Sequence, residues 1–116
     1  MKVYGIKNCN TVKKALDWLT DNAIEYEFHD FKKLGITESK LEEWTEKFGW
    51  EPLVNKRGTT WKQLDPERQL SINSKAEAFK LMQDKTSVIK RPVIETTKGI
   101  LLGFDEPAYK KLFAIA

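Results

Sequence analysis

The only cysteine of the chain lies in the stretch Gly5-Ile6-Lys7-Asn8-Cys9-Asn10-Thr11-Val12-Lys13-Lys14, where an apolar segment meets an amphipathic one. The residues before it predict a short strand, with apolar side chains at Val3, Tyr4 and Ile6. The residues after it predict a helix with one apolar face, formed by Val12, Ala15, Leu16 and Leu19. Cys9 is therefore expected at the junction of a strand and a helix, at or beside the helix N-cap.

The position of Cys9 at the start of a helix favours a reactive thiolate. We expect Asn8 or Asn10 to cap this helix through a side-chain oxygen, while first-turn N–H groups face the sulfur. The helix dipole adds positive charge, as do three nearby lysines, Lys7, Lys13 and Lys14. Such surroundings lower the pKa of a cysteine thiol. The alternative is a buried, inert cysteine that serves only as a small apolar side chain.

Length and composition restrict the class of protein. The 116 residues are enough for one domain with a real core, and 41% hydrophobic with 32% charged residues is a globular balance. The sequence shows neither a signal-peptide pattern nor an apolar run that approaches a membrane span, so we expect a cytoplasmic protein without a membrane partner. One cysteine excludes an internal disulfide. One cysteine and one histidine cannot form a usual structural zinc site.

The formal net charge of +3 favours anionic ligands. The lysines are scattered along the chain, and no predicted helix carries a basic stripe with interleaved aromatic residues. Proteins that bind a duplex show a clustered basic footprint. We therefore expect no direct nucleic-acid partner.

The first part of the chain predicts a strand, a helix and a second strand. The helix should end near Asn22, and residues 25–31 alternate in the manner of a strand, with Tyr26 and Phe28 on one face. A crossover of this length suits a parallel pair of strands. His29 lies near the end of the second strand. A partly exposed strand-end residue is favoured for it over a catalytic base, because the sequence identifies no carboxylate partner.

The middle of the chain is predicted to be a helical insertion, over about residues 37–85. Its helices are expected from Thr37 to Phe48, as a short turn at residues 50–54, as a turn capped by Asp65, and from Ser74 to Lys85, with Met82 in the core. Residues 55–61 are predicted to form a loop. Its Arg57, Gly58 and two threonines could hold an oxyanion, or the loop could be a solvated connector.

The end of the chain returns to strands. Residues 88–95 and 100–104 predict a hairpin, and a last helix capped by Asp105 follows. The apolar residues of that helix are expected to face inward: Tyr109, Leu112 and Phe113. This order of elements predicts an α/β thioredoxin-like, or glutaredoxin-like, fold with a mixed sheet flanked by helices. In that fold a cis proline opens the third strand opposite the reactive cysteine, and Pro92, preceded by Arg91, has this position.

Three segments in the right order carry a resemblance to a known family. They are residues 5–15, Asn55-Lys56-Arg57-Gly58-Thr59-Thr60-Trp61, and Ile89-Lys90-Arg91-Pro92-Val93. The sequence resembles the ArsC family over essentially its whole length, and it is most similar to the YffB-type branch of arsenate reductase-like proteins, which is related to the Spx regulators.

The resemblance implies a thiol-dependent reductase. Cys9 matches the nucleophile that attacks an oxyanion or a disulfide, with glutathione, the expected co-substrate, or glutaredoxin completing the reductive cycle, and no bound cofactor is expected. Arg91 matches the arginine before the cis proline, and Arg57 resembles the loop arginine. Both guanidinium groups would bind the anionic part of the substrate, with Pro92, Asn8 and Lys7 beside them.

The sequence departs from the family pattern at two points. The resemblance implies a further arginine after the last strand in authentic arsenate reductases, but the sequence has Gly103 and Phe104 there. Spx-type regulators carry a second cysteine three residues after the first, and Val12 replaces it. We therefore expect a monothiol oxidoreductase with Phe104 offering an apolar surface to a peptide-like thiol. The alternatives are an authentic arsenate reductase, or a non-enzymatic adaptor that binds RNA polymerase as Spx does.

Overall fold

The computed structural model describes residues 1–115, which form two compact units. The sheet unit comprises residues 1–31 and the chain from residue 91 onward, and the helical unit comprises Lys32–Lys90. In chain order the elements are β1 (Lys2–Gly5), α1 (Asn10–Asp21), β2 (Glu27–Asp30), α2 (Phe31–Leu34), α3 (Glu38–Phe48), α4 (Thr59–Lys62), α5 (Pro66–Ser71), α6 (Lys75–Asp84), β3 (Val93–Thr96), β4 (Gly99–Leu102) and α7 (Glu106–Leu112).

The sheet unit has a mixed sheet of four strands in the order β2-β1-β3-β4. Strands β1 and β2 are parallel and joined through α1, whereas β1 with β3 and β3 with β4 are antiparallel. This is the predicted thioredoxin-like arrangement, with α1 and α7 as its flanking helices. Its topology places the end of β1 beside the start of β3. Cys9 follows β1 in the chain, and Arg91 and Pro92 come directly before β3.

The core of the sheet unit forms between the sheet and its two helices. The buried cluster consists of Val3, Ala15, Trp18, Leu19, Ile94 and Tyr109. Trp18 of α1 and Tyr109 of α7 meet edge to face, with ring centroids 5.4 Å apart. Such aromatic contacts add to the free energy gained by burying apolar area. The apolar face predicted for α1 and the inward position of Tyr109 are confirmed.

Gly5 lets α1 approach β1 closely. A Cβ atom placed on Gly5 would lie 2.9 Å from Cγ2 of Val12, which is fully buried. Val12 is β-branched, so its side chain has little rotamer freedom with which to move away. Gly5 therefore sets the position of the first turn of α1, and with it the position of Cys9.

We expect Gly5→Ala to lower the free energy of unfolding by about 1–3 kcal/mol, because the added methyl group overpacks the contact with Val12. Urea unfolding measures this loss. Gly58→Ala is the matched control, since its Cβ would meet the flexible amide end of Asn55 at 2.9 Å. A loss no larger than that of the control would contradict the role of Gly5.

The helical unit confirms most of the predicted insertion. Its N-caps are local: Thr37 accepts a hydrogen bond from the Lys40 N–H, Asp65 from Arg68, and Ser74 from Glu77. Gly49, with φ +81°, ends α3. Met82 is fully buried, as expected of a core residue. The predicted insertion lies within this unit, and the single domain stays a prediction.

Four predicted segments have wrong boundaries. Strand β2 is Glu27–Asp30 rather than residues 25–31, and β4 is Gly99–Leu102 rather than residues 100–104. Strand β3 begins at Val93 rather than at residue 88, because Pro92 has no N–H to donate to a ladder, and the Lys90 N–H donates to the carbonyl of Leu53 instead. The loop predicted over residues 55–61 ends at Gly58. The next residues form α4, which buries Trp61.

Among residues 1–115, none of the helices combines the length and the apolar character that crossing a membrane requires.

Candidate functional site around Cys9

Cys9 is itself the N-cap of α1. Its backbone is extended, with φ −110° and ψ 123°, and its carbonyl accepts the first helical hydrogen bond, from the Lys13 N–H at 3.0 Å. The prediction of an asparagine cap is wrong, because Asn8 lies in the exposed turn before the cap and Asn10 is already the first helical residue. The half-buried thiol thus lies directly beside the unpaired N–H groups of the first turn.

The surroundings of Cys9 favour the thiolate. Burial of the thiol opposes its ionisation and raises its pKa, whereas hydrogen bonding from the Val12 N–H and from Arg91 lowers it. The positive charge of Arg91 and the Thr11 N–H act in the same direction, so the net pKa of Cys9 is lowered.

Arg91 reaches Cys9 from the segment before β3. The Arg91–Pro92 peptide bond is cis, as predicted, and Pro92 is buried whereas Arg91 is half-buried. The carbonyl of Pro92 accepts a hydrogen bond from the Gly103 N–H at 2.8 Å. The structure therefore brings together Cys9 and Arg91, the two residues to which the sequence assigned the nucleophile and an anion contact.

The lysines have a smaller part than predicted. The groups that lower the pKa of Cys9 are the Val12 and Thr11 N–H groups and Arg91, and the lysines expected for this effect are not among them. Lys7 and Asn8 are exposed in the turn between β1 and α1. Their contact with a substrate stays a prediction.

Arg57 lies in the helical unit. Its side chain is exposed, and its backbone N–H donates to Oδ1 of Asn55 at 3.1 Å. It shares a depression of about 490 Å³ with two other cations, Lys56 and Lys90. A role of Arg57 in binding the substrate of Cys9 stays a prediction.

Comparison with known proteins places the chain in a family. The sequence matches the model of the ArsC family over residues 4–112. The chain belongs to the ArsC family. An uncharacterized protein of Haemophilus influenzae is 45% identical over 97% of both chains. A Spx global transcriptional regulator of Streptococcus pyogenes is 25% identical over 85% of this chain and 74% of its own length.

Solved structures agree with this membership. The structure of a YffB protein is 40% identical and has a TM-score of 0.89, with 96% of each chain covered. An arsenate reductase (ArsC) related protein of Brucella melitensis is 38% identical and has a TM-score of 0.75, with 98% of this chain and 94% of that chain covered. The predicted resemblance to the ArsC family is confirmed.

His29 is a packed residue at the end of β2 in this ArsC-family chain. Its half-buried ring lies against Tyr4, with ring centroids 4.7 Å apart, and against Phe31 at 5.9 Å. The preferred interpretation, a partly exposed strand-end residue, agrees with this position.

The Phe104 side chain takes part in the packing of the sheet unit. Its half-buried ring packs edge-on against Tyr109, with centroids 5.1 Å apart, and against the core of the sheet unit. Much of the apolar surface expected for a ligand is therefore occupied by this contact. The sequence did not show that Phe104 packs against Tyr109, since Tyr109 was predicted only as a core residue. The Tyr109 hydroxyl donates to the carbonyl of Gly103 at 2.6 Å.

Within residues 1–115, no cluster of His, Cys, Asp and Glu side chains could hold a metal ion.

We expect the thiolate pKa of Cys9 to lie below that of a free cysteine and to rise in Arg91→Ala, because the variant loses a hydrogen bond and a positive charge that favour the thiolate. The rate of alkylation by iodoacetamide against pH measures this, since only the thiolate reacts. Arg68→Ala removes the same charge from the exposed surface of α5 and is the matched control.

The sign of the pH dependence follows from the lowered pKa. Stabilisation of the thiolate contributes fully to folding above the pKa of the unfolded thiol, and it is lost as the pH falls through the folded pKa.

The pH profile of alkylation should move toward higher pH in Arg91→Ala, and it should not move in Arg68→Ala. A wild-type profile centred at or above that of free cysteine would contradict the activated thiolate.

Proposed function

We propose that this ArsC-family protein is a glutathione-linked monothiol thiol-disulfide oxidoreductase with the Cys9 thiolate as its nucleophile. The observation that carries the proposal is the placement of Cys9 at the N-cap of α1 beside Arg91, which lowers the pKa of the thiol. A thiolate attacks disulfides, whereas a thiol does not. The confirmed family and the arsenate reductase related neighbour support thiol-dependent reduction as the general class.

The proposed reaction needs one protein thiol. The Cys9 thiolate attacks the glutathione sulfur of a mixed disulfide, forms a Cys9–glutathione disulfide, and releases the other thiolate, which takes up a proton. A second glutathione thiolate then attacks that disulfide, releases the Cys9 thiolate and leaves as oxidised glutathione. The substrate disulfide is reduced by two electrons, and two glutathione units become one disulfide.

The sequence supports the monothiol form of this reaction. Cys9 is the only cysteine, and Val12 takes the position at which a second cysteine would form a Cys-x-x-Cys pair. A disulfide formed by Cys9 is therefore intermolecular. A cytoplasmic location belongs to the same proposal, because reducing compartments maintain free thiols and a glutathione pool.

The proposed contacts bind the anionic groups of the substrate. Glutathione carries carboxylates, and a guanidinium group forms paired charge-assisted hydrogen bonds with a carboxylate. Arg91 is the cation that lies beside the sulfur. We propose Pro92, which follows Arg91 in the chain, as a further contact, together with Arg57, Asn8 and Lys7.

Turnover in a coupled assay with glutathione, glutathione reductase and NADPH tests the proposal. We expect Arg91→Ala to lower kcat/KM for a small glutathione mixed disulfide about tenfold or more, because a charge-assisted bond is worth roughly 1.5–3 kcal/mol. Arg68→Ala should leave turnover unchanged. If Arg91→Ala loses only thermal stability and keeps full turnover, Arg91 braces the strand and does not bind substrate.

The similarity to Spx regulators favours a second candidate, a non-enzymatic adaptor. In that case the fold would be a docking surface for RNA polymerase and Cys9 an optional sensor. Retention of RNA polymerase on the immobilised protein, equal for wild type and Cys9→Ser, would support the adaptor. An absence of retention would leave the oxidoreductase as the remaining candidate of the two.

A further inference from the structure

A chain of two hydrogen bonds leads from helix α7 to the residue after Arg91. The Tyr109 hydroxyl donates to the carbonyl of Gly103 at 2.6 Å, and the Gly103 N–H donates to the carbonyl of Pro92 at 2.8 Å. Gly103 has φ +77°, a conformation that glycine adopts without strain. The bond to Pro92 continues the β3–β4 pairing by one residue, so Gly103 restrains the backbone from which the Arg91 side chain extends.

The ring of the same tyrosine packs against the helix that carries Cys9. Tyr109 is 1% exposed, and its ring meets Trp18 of α1 edge to face. Cys9 is the N-cap of that helix. One buried side chain therefore contacts the element that carries the nucleophile and, through Gly103, the segment that carries the arginine.

We propose that Tyr109 is a positioning residue that maintains the separation between the Cys9 sulfur and the Arg91 guanidinium group. The inference rests on the proposed function, since it assigns a role in preparing the Cys9 thiolate. Tyr109 does not contact the sulfur. It acts through Gly103 and Pro92, and small shifts matter because the interaction of two charges falls with their distance and with the entry of water between them.

The Tyr109 hydroxyl stays protonated, and so remains a hydrogen-bond donor, over the pH range in which Cys9 ionises. Burial, with a smaller contribution from the charge of Asp105, raises the pKa of Tyr109 far above its usual range. Titration of the phenol therefore does not complicate the pH profile of Cys9. The charged group that acts on the Cys9 sulfur is Arg91.

Tyr109→Phe tests the proposal, because it removes the hydroxyl and keeps the ring that packs against Trp18. We expect the alkylation profile of Cys9 to shift to higher pH, so that the rate below the wild-type pKa falls by at most about tenfold, the upper bound that the loss of one hydrogen bond sets. At high pH, where Cys9 is fully ionised in both proteins, the two rates should converge.

Tyr4→Phe is the matched control. Tyr4 is 3% exposed in the same unit, and its hydroxyl donates to Oε1 of Glu95 at 2.8 Å, a side chain rather than the backbone near Arg91. Both variants lose one hydroxyl bond, but only Tyr109→Phe should move the pH profile. Equal profiles for the two variants, with equal losses of thermal stability, would mean that Tyr109 is only structural.

A measurement on the unmodified protein keeps the test independent of folding defects. The amide NMR signal of Gly103 should shift with the same apparent pKa as the Cys9 thiolate, and an unresponsive signal would overturn the inference. Alkylation and NMR need no glutathione. If Cys9 ionises as expected but does not react with glutathione disulfides, the proposed function fails while the positioning role of Tyr109 stands.

Discussion

Cys9→Ser should abolish glutathione-linked disulfide turnover, with a loss of about a thousandfold or more, because removing a catalytic nucleophile typically has an effect of this size or larger. Serine has nearly the shape of cysteine, but its hydroxyl is not ionised at neutral pH and forms no disulfide. The chain has no other cysteine to take over the reaction. Initial rates with glutathione and a mixed-disulfide substrate measure the loss.

The control for this loss is a comparison of the fold of Cys9→Ser with that of the wild type. The serine hydroxyl can cap α1, since serine is a preferred N-cap residue, so the helix should form as before. The far-UV spectrum should match that of the wild type, and thermal unfolding should remain cooperative near neutral pH, with a modest loss of stability because serine carries no charge that pairs with Arg91. Substantial turnover by a well-folded Cys9→Ser protein would exclude Cys9 as the nucleophile.

Arsenate should be at best a poor substrate, because one missing donor to a developing charge costs about 2.7–4 kcal/mol and lowers the rate of arsenate reduction about a hundredfold or more. A thiolate that attacks a multiply charged oxyanion meets like-charge repulsion, which several cations must offset. Arg91 lies beside Cys9 and supplies one. Arg57 would supply a second only if its predicted role holds.

The structure adds a reason for this expectation. The resemblance to authentic arsenate reductases implies a further arginine where this chain has Gly103 and Phe104. Here the Gly103 N–H is already bonded to Pro92, and the ring of Phe104 packs against Tyr109. Lys98, in the exposed turn between β3 and β4, is a candidate substitute for that arginine.

A coupled assay with arsenate, glutathione and glutaredoxin measures this expectation, with the mixed disulfide as the reference substrate under the same conditions. Arsenate turnover comparable to that reference, and lost in Cys9→Ser, would make arsenate reductase the leading function. Lys98→Ala then shows whether the hairpin lysine substitutes for the missing arginine.

Local signals allowed much of the fold to be predicted. The cap at Asp65 involves residues three positions apart, and the apolar periodicity of α1 lies within one helix, so both are visible in the sequence. The order of strands and helices then predicts a thioredoxin-like sheet. The same order predicts that Cys9 and Arg91 lie close together, although they are 82 positions apart in sequence numbering.

Features that depend on distant partners were not predictable in this way. The cation that acts on the sulfur is Arg91 and not a neighbouring lysine, which no helical spacing reveals. The bonds of Tyr109 to Gly103 and of Gly103 to Pro92 join three elements, so only the structure shows them.

Intact-mass analysis after incubation with oxidised glutathione tests the central claim most directly. An activated monothiol at Cys9 predicts one glutathione adduct on the native protein, removed by added reduced glutathione and absent in Cys9→Ser. The adduct should form at a pH where free cysteine reacts slowly, because the pKa of Cys9 is lowered. A native protein that stays unmodified, and gains the adduct only after denaturation, would show Cys9 to be an inert buried thiol and would contradict the account.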